Sequence, residues 1–370
     1  MIQIKKVESK KDLKNFVDLP WAIYKDDPLW VPPLKMAVND LLSPKHPFRK
    51  TSDMDLFLAL KDNQVVGRIA VIVNHTHNKF HGENVGHFGF YEAIDDYQVC
   101  DLLLATAKEA FLKLQIHTIL GPLNPSTNYE CGLLIEGPLD PPQIMMTYNP
   151  KYYQTHFEKW GLKKAKDLIA YQIDIKFQMP EKIKYISQRL ETKAKITYRP
   201  ISKSNWGQDV ASLFDIYNDA WETNWGFVPM TREEFFHTAK DLKAVVDPNL
   251  VLFVLVAGEV AGLIVTLPDF NQVLKQVKDG KLFPTGLFKI LFNKNKINRA
   301  RVITLGLKKK FMKTGLETLL YTKAQNMIRA TKMHELEMSW ILEDNHNMNR
   351  PLILMGAKPY KRYRIFEKNI

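Results

Sequence analysis

Two stretches of this chain alternate apolar and turn-forming residues on the same plan. In 56–74, "LFLALKDNQVVGRIAVIVN", two runs rich in β-branched residues flank Asp62-Asn63. The pattern predicts a hairpin with strands at 56–60 and 65–73. In 249–268, "NLVLFVLVAGEVAGLIVTLP", the pattern recurs about Gly258-Glu259 and predicts a second hairpin.

The elements after each hairpin repeat as well. After the first come a strand, "VGHFGFYEAI", and a helix over 99–114 with Leu103, Ala107, Ala110, Phe111 and Leu114 on one stripe. After the second come "RARVITLGL" and a helix over 315–330 with Leu316, Leu320, Ala324 and Met327 in line and Leu319 on the flank. Each set then runs strand, short helix, strand. The first has "HTILGPL", "NPKYYQTHFEKWG" stopped at Gly161, and "LIAYQIDI". The second has "HELEMSWIL", "NMNRPLILMG" ending at Gly356, and "YKRYRIFEK". A strand at 2–6 and a polar helix near 9–16 precede the first set. "KITYRP" and the helix in "GQDVASLFDIYNDAWETNW" precede the second. The predicted fold is α/β (α+β), with two domains that each pack a mixed central sheet against helices. The polar segment near 180–200 places the boundary between domains 1–185 and 186–370.

Composition narrows the function classes. A chain of 370 residues exceeds the usual size of one core, which agrees with two domains. No apolar run reaches membrane-spanning length, and the N-terminus lacks the h-region of a secretory signal. With Cys100 and Cys131 the only cysteines, a reducing cytoplasm is the expected setting. The formal charge of +12 would suit a nucleic acid, an anionic cofactor or an anionic membrane surface. The lysines are dispersed and no zinc-finger, homeodomain or basic-tail pattern occurs, so a nucleic-acid partner is not expected. There is no Walker sequence, and "AGEVAG" is a hairpin turn. His75, His77 and His81 have metal-like spacing without cysteine or acidic ligands nearby, so a polar loop and no metal are expected. Cys131 has no nearby residues that would activate it as a nucleophile.

The stretch "TLGLKKKFMKTGLETLLYTKA" (304–324) carries the chemistry best. A helix start offers unpaired N–H groups and a partial positive field to phosphate oxygens. Gly315 would let the backbone approach closely, and Lys308, Lys309, Lys310 and Lys313 add charge. Glu317, in the first helical turn, would repel a phosphate. A solvated positive turn is the competing reading.

The order of hairpin, strand, basic turn with glycine, helix, strand, Asn-containing segment, helix and aromatic end resembles the GNAT (N-acetyltransferase-like) superfamily in tandem. "VAGEVAGLIVTLP", "ITLGLKKKFMKTGLETLL" and "ILEDNHNMNRPLILMGAKPYKRYRIF" carry the resemblance in the second half. "KDNQVVGRIAVIVN", "FGFYEAIDDYQVCDLLLATAKEAF" and "NPKYYQTHFEKWGLKKAKDL" carry it in the first. Gly315 matches the first glycine of the family's cofactor turn, while Met312 and Glu317 depart from it. The first-half turn, "IDDYQVCD", is acidic and lacks glycine.

The resemblance implies an acyl-CoA-dependent N-acyltransferase, with acetyl-CoA or another acyl-CoA as co-substrate and a small-molecule or peptide amine as acceptor. The amine would attack the thioester directly. The second half would be the active unit and the first a degenerate copy. Cofactor contacts are expected from Leu307, Lys310, Lys313, Gly315, Leu316, Asn345 and Asn349. Tyr360, or Tyr363, would protonate the leaving thiolate, and Glu337 would serve as base. Trp221, Trp225 and Phe227 would line the acceptor side. The segment 121–142, rich in Gly, Pro and Asn, predicts a shaped loop at a cleft or an architectural insertion. Two other functions stay open: a non-catalytic tandem fold used for binding or assembly, and aminoacyl transfer from charged RNA.

Overall fold

A computed structural model describes residues 1–193 and 195–370. The elements in chain order are β1 (Ile2–Lys6), α1 (Lys10–Ile23), α2 (Lys35–Leu42), β2 (Ser52–Lys61), β3 (Gln64–Asn74), α3 (His75–His81), β4 (Val85–Ala93), α4 (Tyr97–Lys113), β5 (Thr118–Gly121), β6 (Leu123–Asn124), β7 (Glu130–Cys131), β8 (Leu133–Glu136), α5 (Tyr152–Lys159) and β9 (Lys163–Asp174). They continue with α6 (Glu181–Lys193), β10 (Ile196–Pro200), α7 (Trp206–Ala220), α8 (Arg232–Leu242), β11 (Val251–Val256), β12 (Glu259–Pro268), α9 (Asn271–Leu274), α10 (Thr285–Asn293), β13 (Arg299–Leu307), α11 (Leu316–Arg329), β14 (Glu335–Leu342), α12 (His346–Leu354) and β15 (Lys358–Asn369).

The chain forms two compact units. One comprises Met1–Leu168, Val273–Phe292 and Arg362–Ile370; the other comprises Ile169–Gln272 and Asn293–Lys361. In the first unit β1, β2, β3, β4 and β5 lie side by side, and Phe366–Asn369 of β15 adds to the free edge of β5. In the second, β10, β11, β12, β13 and β14 repeat the order. Residues of β9 then follow β14, where Ile175 N donates to His334 O. All ladders within these two runs are antiparallel except β4–β5 and β13–β14. Those two are parallel because α4 and α11 carry the chain back over the sheet between them.

Local chemistry explains the repeat. Asp62 and Asn63 both have positive φ (51° and 60°), which suits the right-handed twist of the hairpin they close. The second hairpin turns at Ala257-Gly258 (φ 49° and 87°), one residue before the expected pair, because Val256 pairs with Glu259. Leu103, Ala107 and Phe111 of α4 are fully buried against Ile69 and Phe88 of the first sheet. Leu316, Leu319, Leu320, Ala324 and Ile328 of α11 do the same against Ile264, Val302 and Leu336.

The histidine stretch expected as a loop is the helix α3, capped by the Asn74 side chain on His77 N. The segment 181–193, whose polarity suggested only a boundary, is the helix α6; Ile183 and Leu190 supply a narrow stripe that packs on the second core.

Candidate functional site

In the second unit, β13 and β14 run together only from Arg299–Glu335 to Val302–Met338, although β13 continues to Leu307 and β14 to Leu342. The ladder therefore ends midway and leaves a gap between parallel strands. At its last rungs Arg301 lies beside Glu337. Both are buried, at 4% and 1% exposure. Arg301 Nε stands 3.6 Å from Glu337 Oε1 and donates to Ser339 Oγ at 2.8 Å, while Nη2 donates to the Ser339 carbonyl at 2.9 Å. The Ser339 hydroxyl donates to Glu337 Oε1, and the Tyr360 hydroxyl donates to Glu337 Oε2. A buried carboxylate with a guanidinium at one oxygen and a phenol at the other can exchange a proton through hydrogen bonds already formed.

Tyr363, the other tyrosine candidate, lies on the part of β15 that belongs to the first unit. There it pairs with Leu134 and its Cβ stands against Gly132. Glu337 and Tyr360 are thus brought together, and Tyr363 is placed elsewhere.

The basic turn is less free than its lysines suggest. Lys310 Nζ contacts Glu259 at 2.6 Å and Lys308 contacts it at 3.5 Å. Lys309 pairs with Glu222, and its backbone N–H donates to Asp219 at 2.6 Å. Glu317 turns back to accept from the Lys313 N–H at 3.1 Å. Among the described residues, the Lys313 ammonium makes no ion pair. Gly315 is the N-cap of α11 with φ 88°, a conformation that favours glycine, and a Cβ there would lie 2.8 Å from the Leu190 Cδ1 tip. Leu307 and Leu316 are buried, which leaves their backbones as the groups able to face a ligand.

Asn345 caps α12 by accepting from Met348 N at 3.2 Å. Asn349 is buried and donates to Leu342 O and Glu343 O at 3.0 and 3.1 Å, bracing the end of β14; its Oδ1 has no partner among the described residues.

Trp221 packs so closely on β13 that a Cβ on Gly306 would sit 2.3 Å from the tip of its ring. Tyr217 joins Trp221 to Phe227, with ring centroids 5.2 and 5.7 Å away, and Phe235 closes the group at 5.6 Å from Tyr217. Trp225 is half-buried in the same segment. An aromatic wall therefore stands beside the strand that borders the gap.

The first unit has a comparable buried cluster, which sequence reading missed. Arg68 pairs with Glu92 across β3 and β4, 3.8 Å from Nη2 to Oε1. Glu92 Oε2 accepts from Tyr24 at 2.9 Å and from Tyr153 at 2.7 Å. Burial raises the Glu92 pKa against the pull of Arg68, and burial followed by the Glu92 charge holds both phenols well above their usual range. The available signal was Arg68 within an otherwise apolar strand, and Arg301 in "RARVITLGL" was its counterpart.

The gap between β4 and β5 is filled, however. The ladder stops at His87–Leu120, and the next residues, β6, enter it: Phe90 N donates to Asn124 Oδ1 at 2.6 Å. A Cβ on Gly89 would fall 1.7 Å from Leu123 O. The segment 121–142 therefore closes the first unit's strand gap with its own chain.

No protein-family model matches the chain. Two curated proteins are similar over nearly its whole length. Protein YghO of Escherichia coli (strain K12) is 37% identical, covering 98% of this chain and 94% of that protein. A bacterial ceramide synthase of Caulobacter vibrioides is 36% identical, covering 98% and 96%. Among solved structures, a tandem GNAT protein from the clavulanic acid biosynthesis pathway has a TM-score of 0.57 at 12% identity, covering 100% of this chain and 98% of that one. A GCN5-related N-acetyltransferase from Sphaerobacter thermophilus gives 0.51 at 12%, covering 99% and 95%.

Proposed function

Because the chain belongs to one family with its two bacterial relatives and has the fold of tandem GNAT proteins, we propose that it is an acyl-CoA-dependent N-acyltransferase acting through its second unit. The observation that carries this reading is the hydrogen bond from half-buried Tyr360 to Glu337, which is itself buried with Arg301 and Ser339 where the β13–β14 ladder ends. Beyond the last β13–β14 rung the arm of an acyl-CoA thioester would lie between the strands, where its amides can take up backbone groups of a strand edge. At the other end, Lys313 and the N-terminus of α11 are the groups left to meet its phosphates.

In this reading the amine nitrogen bonds to the thioester carbon as the carbon–sulfur bond breaks. Glu337 takes the proton lost by the amine. Tyr360, already hydrogen-bonded to that carboxylate, passes its own proton to the departing sulfur and is reprotonated by Glu337, so charge and protons balance. Arg301 and Ser339 orient the carboxylate from its other oxygen. The first unit, with its gap occupied by β6, is the degenerate copy in this reading.

One relative is named a ceramide synthase, and a ceramide is a long-chain amino alcohol acylated on nitrogen. The acceptor proposed for this chain is accordingly a long-chain amine, with Tyr217, Trp221 and Phe227 offering an apolar wall for it. The ion pairs that engage Lys308, Lys309 and Lys310 favour one competing reading, a non-catalytic binding protein. Titration calorimetry over acyl-CoAs of increasing chain length tests the cofactor claim. Saturable binding, weakened by Lys313→Glu, is expected; no binding by folded protein at any chain length overturns it.

A further inference from the structure

The connection between β12 and β13 is much longer than its counterpart between β3 and β4, running over 269–298 where the first spans 75–84. The stretch 275–296, "KQVKDGKLFPTGLFKILFNKNK", is apolar and basic together. Its helix α10 is apolar on two faces. Gly286, Leu287 and Ile290 turn inward, whereas Phe288, Leu291 and Phe292, at helical spacing, point outward. Phe288 is 60% exposed, Leu291 49% and Phe292 78%, and Phe283 just before the helix is 65% exposed. Large apolar side chains exposed together in this way mark an interaction surface.

The segment is held in place. Trp21 Nε1 donates to Lys278 O at 2.8 Å, and Lys35 N donates to Gly280 O at 2.9 Å. Gly280, with φ 66°, is packed so closely that a Cβ would lie 2.4 Å from the Trp21 ring. Trp21 and Trp30 meet edge to face at 5.2 Å, both half-buried, and Met36 beside the Lys35 anchor is 57% exposed. Tryptophans next to a flat apolar helix are what the boundary between water and lipid favours.

Charge selects the occupant. Lys275, Lys278, Lys281, Lys289, Lys294 and Lys296 stand in this stretch against the single acidic residue Asp279. Lys278, Lys281, Lys289, Lys294 and Lys296 are exposed, and the Lys289 ammonium donates to Gln276 O at 3.1 Å. Among the described residues no helix is long and apolar enough to cross a membrane.

We propose that Phe283, Phe288, Leu291 and Phe292, flanked by Lys278, Lys281 and Lys289, dock the protein on the surface of an anionic phospholipid bilayer, with α10 lying in the interface plane. The outward phenyl and leucyl groups would enter the headgroup–acyl boundary while the lysines meet lipid phosphates. This assignment does not rest on the acyl-transfer reading, since it uses no residue of the Glu337 cluster.

The test uses the full chain and vesicles of phosphatidylglycerol and phosphatidylethanolamine, with phosphatidylcholine vesicles and free inorganic phosphate as controls. A Phe292→Cys variant is labelled with an environment-sensitive fluorophore; the native thiols Cys100 and Cys131 are buried and shielded from the label. The expected result is a blue shift and cosedimentation with anionic vesicles, weakened at least tenfold by raising salt. Phe288→Ser with Phe292→Ser should also weaken cosedimentation at least tenfold, and Lys278→Glu with Lys281→Glu should abolish it. The proposal is overturned if the label stays in water on anionic vesicles, if phosphatidylcholine binds as well, or if free phosphate competes. It is equally overturned if the wild type is a dimer that the double serine variant dissociates while vesicle binding is unchanged.

Discussion

Glu337→Gln removes one charge and almost no volume from the second unit's buried cluster. Arg301 then loses its carboxylate but keeps the Ser339 hydroxyl and carbonyl at 2.8 and 2.9 Å, and glutamine still presents an oxygen to Ser339 or Tyr360. Breaking a buried pair costs about 3–5 kcal/mol, and the retained acceptors place this one near about 3 kcal/mol. For units of this size that lowers Tm by roughly 6–12 °C. Loss of a general base costs about 10²–10⁴-fold in kcat.

Glu92→Gln is the matched control. It breaks the Arg68 pair at 3.8 Å, with Phe16 O left to accept from Arg68 Nη1 at 2.6 Å. It should lower Tm comparably while leaving kcat per folded molecule within a fewfold of the wild type. Amide formation from an acyl-CoA and a long-chain amine, measured well below both transitions and normalised to folded protein, separates the two effects. The role given to Glu337 is refuted if Glu337→Gln loses activity only in proportion to its unfolded fraction, or if Glu92→Gln loses the larger share.

Two further outcomes are expected in the first unit. Gly89→Ala forces a Cβ against the Leu123 carbonyl, which cannot swing aside as a side-chain tip can; a loss of about 1–3 kcal/mol in urea unfolding is expected, and an unchanged midpoint would show that β6 does not fill the gap. Glu92 has a folded pKa above its unfolded value, so its contribution to stability is complete below the unfolded value and is lost as pH rises through the folded one. Stability measured against pH should therefore show the wild-type advantage over Glu92→Gln narrowing from mildly acid towards neutral pH, and a widening gap would reverse the sign assigned to burial.

The elements that sequence made legible are those with a strong local period. The two hairpins, α4, α11 and the strands after them needed only alternation, turn residues and a helical stripe. Glu337 was legible as a candidate because alternation in "HELEMSW" could point it at a substrate, and Tyr360 because the resemblance places a tyrosine after "GAKP". Their partners Arg301 and Ser339 were not, since they meet Glu337 only through the parallel register of β13 on β14 and the fold of β14 itself. The closure of the first unit's gap was also hidden: it depends on Gly89 lacking a Cβ where the chain returns from β5. The lysines of the basic turn misled in the other direction, because Glu222 and Glu259, distant in sequence, occupy three of them.

Acyl transfer by the second unit is tested most directly by incubating the purified full chain with a long-chain acyl-CoA and a long-chain amino alcohol, monitoring free thiol and amide product together. Amide and CoA should appear in equal amounts, require both substrates, and be lost in Glu337→Gln and Tyr360→Phe. Folded protein that forms no amide from any such pair, or that releases CoA without forming amide, would contradict the assignment.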